Sequence, residues 1–135
     1  MIEMKISYMG DKHCEITHGP SDSKIETDAP KDNQGRGEKF SPTDLMGAAL
    51  GSCILTTMAI VAERDGIPFE GATAKVGKEM NPQPRRIARL ATEIIMPKGL
   101  ASDVRRKLEG AARACPVHKS LLPEIDAPII FIYQD

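Results

Sequence analysis

Residues 45–62 read LMGAALGSCILTTMAIVA, 18 consecutive residues without a charge and with one cysteine, Cys53, in the middle. The run sits at the lower limit for a bilayer-spanning helix, which needs about 20 apolar residues. Gly47, Gly51, Ser52, Thr56 and Thr57 dilute its hydrophobicity, and the rest of the chain reads as a compact soluble domain rather than as loops around one span. The stretch is therefore expected to be the central helix of a soluble protein, with no membrane association. Its flanks carry helix punctuation. Ser41-Pro42-Thr43-Asp44 offers an N-cap, a proline suited to the first helical position and an acidic residue to close a capping box. Gly66, with Pro68 behind it, marks the C-terminal end. The apolar character runs nearly all round, which marks a central, buried helix.

The sequences on either side supply the expected layers. Residues 2–8, IEMKISY, alternate Ile2, Met4, Ile6 and Tyr8 with polar neighbours, and HCEITH (13–18) and SKIETD (23–28) follow across short turns, predicting an antiparallel meander. APKDNQGRGEKF (29–40) is a polar connection with two glycines, long for a compact domain, and such loops tend to be functional or disordered. Beyond the helix, GATAKVGKEM (71–80) and RIARLATEIIM (86–96) flank an NPQP turn as a second hairpin, with Leu90, Thr92, Ile94 and Met96 on one side. A second helix is predicted from Ser102, with Val104, Leu108, Ala111 and Ala112 on one stripe. Pro116 suggests a fresh helical start capped by Cys115, and PIIFIY (128–133) closes the chain as a strand. The order predicts one α+β domain over residues 1–135, helices packed on antiparallel sheet.

Composition excludes several classes of function. A formal net charge of −1 gives no electrostatic reason to expect nucleic acid or an anionic membrane. With no Trp, three Phe and two Tyr, the core must be aliphatic and Met-rich. Three cysteines, Cys14, Cys53 and Cys115, are too few and too scattered for a secreted disulfide framework. Glu3 and Lys5 stand where a secretory signal would need an uninterrupted apolar core, so a cytoplasmic location is expected.

The chemistry then rests on two cysteines. Taken alone, Cys53 reads most simply as a small buried hydrophobe. It lies 12 residues past the N-cap, beyond help from its own helix terminus, so any activation must come from elsewhere. Cys115 precedes a helical start, where backbone N–H groups favour a thiolate; it reads either as an acidic thiol or as an inert N-cap. Cys53, Cys115 and His118 could together hold a metal, although His13, Cys14 and His18 supply no obvious fourth ligand and read as strand residues facing solvent. Arg36 is the only arginine before the long helix. It is either a solvated loop charge paired with Glu38 or a guanidinium that lowers a thiol pKa and orients a peroxide oxygen.

SPTDLMGAALGSC (41–53), followed some 60 residues later by ACPVHKSL (114–121), resembles the OsmC/Ohr family of thiol-dependent hydroperoxide reductases. The resemblance implies an OsmC-like fold: an intertwined α+β homodimer with two long central helices side by side and active sites at the subunit interface. It further implies that Cys53 is the peroxidatic and Cys115 the resolving cysteine, joined as a disulfide during turnover, with organic hydroperoxides as substrates. The reductant would be an external dithiol, a lipoylated protein in several members, and no cofactor is called for. The helix would then be covered by its own sheet and by a second copy of itself, and Gly47-x-x-x-Gly51 gives it a face allowing close backbone approach. The family's peroxidases carry a glutamate at the position of Thr43, where this sequence offers Asp44 one place later, and their arginine lies further upstream than Arg36. Arg36 and Asp44 are accordingly the candidates for the activating arginine and acid. The competing reading is an OsmC-like dimer that senses redox state or binds a small molecule without turning over peroxide.

Overall fold

The computed structural model describes residues 1–134. They fall into two compact units, one of Met1–Met46 and one from Gly47 onward. In the first, β1 (Met4–Tyr8), β2 (His13–His18) and β3 (Lys24–Asp28) form the expected antiparallel meander. The register sets Ile6 opposite Ile16 and Ile16 opposite Ile25. Side chains alternate across a strand, so these isoleucines share one face with Met4 and Tyr8. That face is open: Met4, Ile6, Tyr8 and Ile25 are 59, 59, 67 and 49% exposed.

The opposite face is polar, and His13 is mostly buried there rather than turned to solvent as expected. Its Nδ1–H donates to Asp28 Oδ1 at 2.6 Å and its Nε2–H to Glu26 Oε1 at 3.1 Å. The bond to Asp28 raises the imidazole pKa, against burial and with help from Glu26, and the same bond holds the Asp28 carboxyl below its ordinary value. The second Asp28 oxygen accepts the Glu38 backbone N–H at 3.1 Å, and the Asp28 N–H donates to the Phe40 carbonyl at 3.1 Å. The long 29–40 connection, which contains a short 3-10 turn at Lys31–Asn33, is thereby fastened at its far end to the sheet.

Helix α1 (Pro42–Arg64) begins and ends as its punctuation requires. The Ser41 N–H donates to Asp44 Oδ2 at 2.9 Å and the Asp44 N–H to Ser41 Oγ at 3.1 Å, a reciprocal capping box. At the other end Gly66 takes φ +65°, the Gly66 N–H reaches the Glu63 carbonyl and the Ile67 N–H reaches Ala62, which is the Schellman pattern. The helix is long and apolar enough to cross a bilayer, with a mean hydropathy of 2.0. One of its faces nonetheless packs into a protein core through Gly47, Leu50, Gly51, Ile54, Met58 and Ala62. Met46, Ser52, Thr56 and Ile60 are exposed along the other face, the side for which a second copy of the helix is expected.

The core of the second unit lies between this helix and a sheet of order β4-β5-β6, formed by β4 (Thr73–Pro82), β5 (Arg85–Ile95) and β6 (Ile129–Ile132). Leu90, Thr92, Ile94 and Met96 are all buried on one side of β5 and its extension, as their alternation predicts. Helix α2 (Ser102–Arg113) adds Leu108, Ala111 and Ala112, and the four-residue α3 (Pro116–Lys119) follows. The sheet is mixed rather than wholly antiparallel, because β6 runs parallel to β5. The chain leaving β5 crosses over through α2 and α3 before re-entering the sheet, and such a crossover is what a parallel pair requires.

The glycine pair on α1 faces this sheet, not a second helix. A Cβ on Gly47 would lie 3.5 Å from Val76 Cγ1 and one on Gly51 only 3.0 Å from Val76 Cγ2. Glycine at these positions lets the helix backbone settle onto β4, the close approach that the spacing announced. Gly51→Leu would drive a side chain into Val76 and is expected to lower unfolding stability by about 1–3 kcal/mol in urea titration. Leucine at exposed Thr56 is the control that should leave this core intact.

Candidate active site

The two cysteines of the quoted motifs come from opposite ends of the second unit. Cys53 sits on the flank of α1 between its buried and exposed stripes and is partly buried against the core. Cys115 sits at the N-cap position of α3 and is wholly buried, at 0% exposure. The fold brings the thiols together as free, hydrogen-bonded cysteines. Around Cys53 stand the Cys115 thiol, the Val117 backbone N–H and the Thr57 hydroxyl, the last at 3.9 Å from the sulfur and one helical turn along α1.

These contacts set the polarity of the pair. Burial pushes the Cys53 thiol up, but hydrogen bonds from Cys115, the Val117 N–H and Thr57 together outweigh it and hold the thiol below its ordinary value. Cys115 goes the other way: burial and its bond to Cys53 push it up, against the His118 and Val117 N–H groups that favour its thiolate. Of the two readings left open for Cys115, the contacts do not favour the acidic thiol. Position before a helical turn is not sufficient when the sulfur is wholly desolvated and donates its proton to a neighbour. One N–H of that turn, Val117, acts on the cysteine of the other motif, which supplies the remote activation that a mid-helix thiol needs.

Arg36 and Asp44 belong to the first unit. Arg36 is 53% exposed, with its Nε 3.5 Å from Glu38 Oε1, the pairing expected of a loop charge. Asp44 spends one carboxylate oxygen on the helix cap. Among the described residues, no three His, Cys, Asp or Glu side chains gather closely enough to hold a metal ion. His118, considered above only as a metal ligand, instead bonds through Nε2 to the Ala127 carbonyl at 2.9 Å. Val117 and Thr57 were missed by sequence reasoning. Thr57 lies at i+4 from Cys53, a spacing that places it on the same helix face and could have flagged it.

A family model for OsmC-like protein matches residues 35–128, which span both cysteine motifs. The chain belongs to the OsmC-like family. A crystal structure from Psychrobacter arcticus 273-4, of a protein named for an inferred role in osmotic stress and detoxification, superposes with a TM-score of 0.93 at 39% identity, covering 98% of this chain and 96% of that one. Two more distant structures share the OsmC-like fold. The organic hydroperoxide resistance protein OsmC of Legionella pneumophila has a TM-score of 0.74 at 18% identity, over 97% of this chain and 96% of that one. The organic hydroperoxide resistance protein OhrB of Bacillus subtilis has a TM-score of 0.70 at 16% identity, over 98% of each chain. No curated protein matches the sequence.

In this OsmC-like pair the first proton is expected to leave Cys53. Site-resolved alkylation with iodoacetamide across pH, read by peptide mass spectrometry, should give Cys53 a midpoint below the usual thiol value of about 8.5 and Cys115 one above it. Thr57→Val should move the Cys53 midpoint upward, and equal midpoints for the two thiols would contradict the assigned polarity.

Proposed function

We propose that the protein is a thiol-dependent peroxidase that reduces organic hydroperoxides as a cytoplasmic defence against oxidative stress. The observation that carries this reading is the hydrogen-bonded Cys53 and Cys115 pair with its opposed acidities. A lowered Cys53 pKa puts the nucleophilic thiolate on the sulfur that is partly open, while the wholly buried Cys115 stays protonated until the first step is complete.

The Cys53 thiolate attacks the terminal oxygen of the hydroperoxide. An S–O bond forms as the O–O bond breaks, and the alkoxide leaves and takes up a proton as the alcohol. Cys53 is thereby oxidised by two electrons to a sulfenic acid. The Cys115 sulfur then attacks the Cys53 sulfur, the hydroxyl leaves as water with the thiol proton, and a Cys53–Cys115 disulfide results. An external dithiol, a lipoylated protein being the proposed class, restores both thiols by exchange. Arg36 and Asp44 enter the proposal as supporting groups, the one as a source of positive charge and the other through its hold on the start of α1.

The active form is proposed to be a homodimer. Two separate apolar surfaces support this: the Met4, Ile6, Tyr8 and Ile25 face of the first sheet, and the outer side of α1 with Met46 and Ile60. A monomer would leave both in water, and contiguous exposed apolar surface usually marks an interface. Light scattering at micromolar concentration is expected to give twice the chain mass of 14.7 kDa.

The function is tested by following cumene hydroperoxide with dihydrolipoamide or dithiothreitol as reductant. Cys53→Ser should abolish turnover and Cys14→Ser should not. Cys115→Ser should consume about one equivalent and retain a trappable sulfenic acid on Cys53, open to over-oxidation. A disulfide that forms without any turnover in the wild type would make the protein a redox sensor instead.

A further inference from the structure

Helix α3 has only four residues, and none of them is buried. A single turn of that length has no stability of its own, because helix nucleation costs more than one turn returns. The turn nevertheless has to be aimed, since the Val117 N–H it carries must meet a sulfur on another element. Its entry is fixed by Cys115, which lies in the core. Inside the turn, the Lys119 N–H donates to the Cys115 carbonyl and Ser120 Oγ donates to the Pro116 carbonyl at 2.8 Å, bonds that shape the turn without orienting it.

The bond that leaves the turn is made by His118. Its Nε2 lies 2.9 Å from the carbonyl oxygen of Ala127. A carbonyl only accepts, so Nε2 carries the proton. Ala127 is itself held on a rigid frame: the Asp126 N–H bonds the Ala88 carbonyl, the Leu90 N–H bonds Asp126, and the Thr92 N–H bonds Pro128. The imidazole thus ties a marginal turn to the strand segment that runs beside β5.

We propose that His118 is a positioning residue, whose Nε2–H bond to the Ala127 carbonyl holds α3 so that the Val117 N–H points at the Cys53 sulfur. The proposal takes Cys53 as the reactive thiol but needs no peroxidase activity for its test. The backbone donor is general to any sequence at Val117, whereas its aim depends on the side chain next to it. Val117 also packs against the core, so without the tether α3 remains attached through Cys115 and Val117, but its aim loosens and the Cys53 thiolate loses a well-directed donor.

The test is the pH profile of Cys53 alkylation by iodoacetamide, measured on the Cys53 peptide in the full-length protein. His118→Ala is expected to raise the midpoint by about one pH unit, the scale of one hydrogen bond to a charged group. His118→Gln places an amide N–H where Nε2 stood and is expected to restore the wild-type profile. Should the alanine variant fail to fold, His118→Leu, which keeps bulk and lacks the donor, carries the same expectation. A folded donor-less variant with an unshifted midpoint overturns the proposal, as does a glutamine variant shifted as far as the donor-less one. Because alkylation is independent of peroxide, loss of turnover with a normal profile would count against the proposed function and not against the role of His118.

Discussion

The close approach of α1 to its own sheet is the constraint on which the second unit depends. With Val76 already 3.0 Å from where a Gly51 Cβ would stand, a side chain there would press on β4, and glycine lets the helix rest on it without that strain. That contact fixes the rotation of α1 about its axis. Leu50, Ile54 and Met58 are turned into the core and Cys53 is left on the flank. A rotation by one residue, about 100° for a 3.6-residue turn, would carry the thiol either into the core or onto the open face. The chemistry of the cysteine is in this sense a consequence of two missing side chains.

Once placed, Cys53 is made acidic by neighbours rather than by exposure. Burial opposes its ionisation, and three hydrogen-bond donors reverse the balance. Cys115, deeper and serving as one of those donors, is displaced in the other direction. In the proposed mechanism, a pair arranged this way would separate the roles of attack and resolution before any substrate arrives. Acidity and nucleophilicity trade against each other in thiols, so lowering the pKa of the proposed attacking sulfur raises its thiolate fraction at some cost in intrinsic reactivity.

The local features of the fold were legible because short-range rules govern them. The Ser41–Asp44 box, the Gly66 terminus and the buried row from Leu90 to Met96 all follow from spacing within a few residues. Features set by partners distant in sequence were not. The glycine pair announced a close approach but not its target, which proved to be β4. The parallel pairing of β6 depends on the crossover, not on the strand's own pattern. The cysteine pair was legible through its motifs, but the direction of its acidities was not, since nothing in ACPVHKSL tells which sulfur the Val117 N–H will face. His118 was likewise legible only as a candidate ligand, because its carbonyl acceptor lies nine residues away on another element.

The most direct test of the account is a single-equivalent oxidation of the wild-type protein without reductant, followed by alkylation of the remaining thiols and peptide mapping. One equivalent of cumene hydroperoxide should yield one equivalent of alcohol and an internal Cys53–Cys115 disulfide, with Cys14 still alkylated. Oxidation that begins at Cys115 or Cys14, or peroxide left unconsumed by the fully reduced protein, would contradict it.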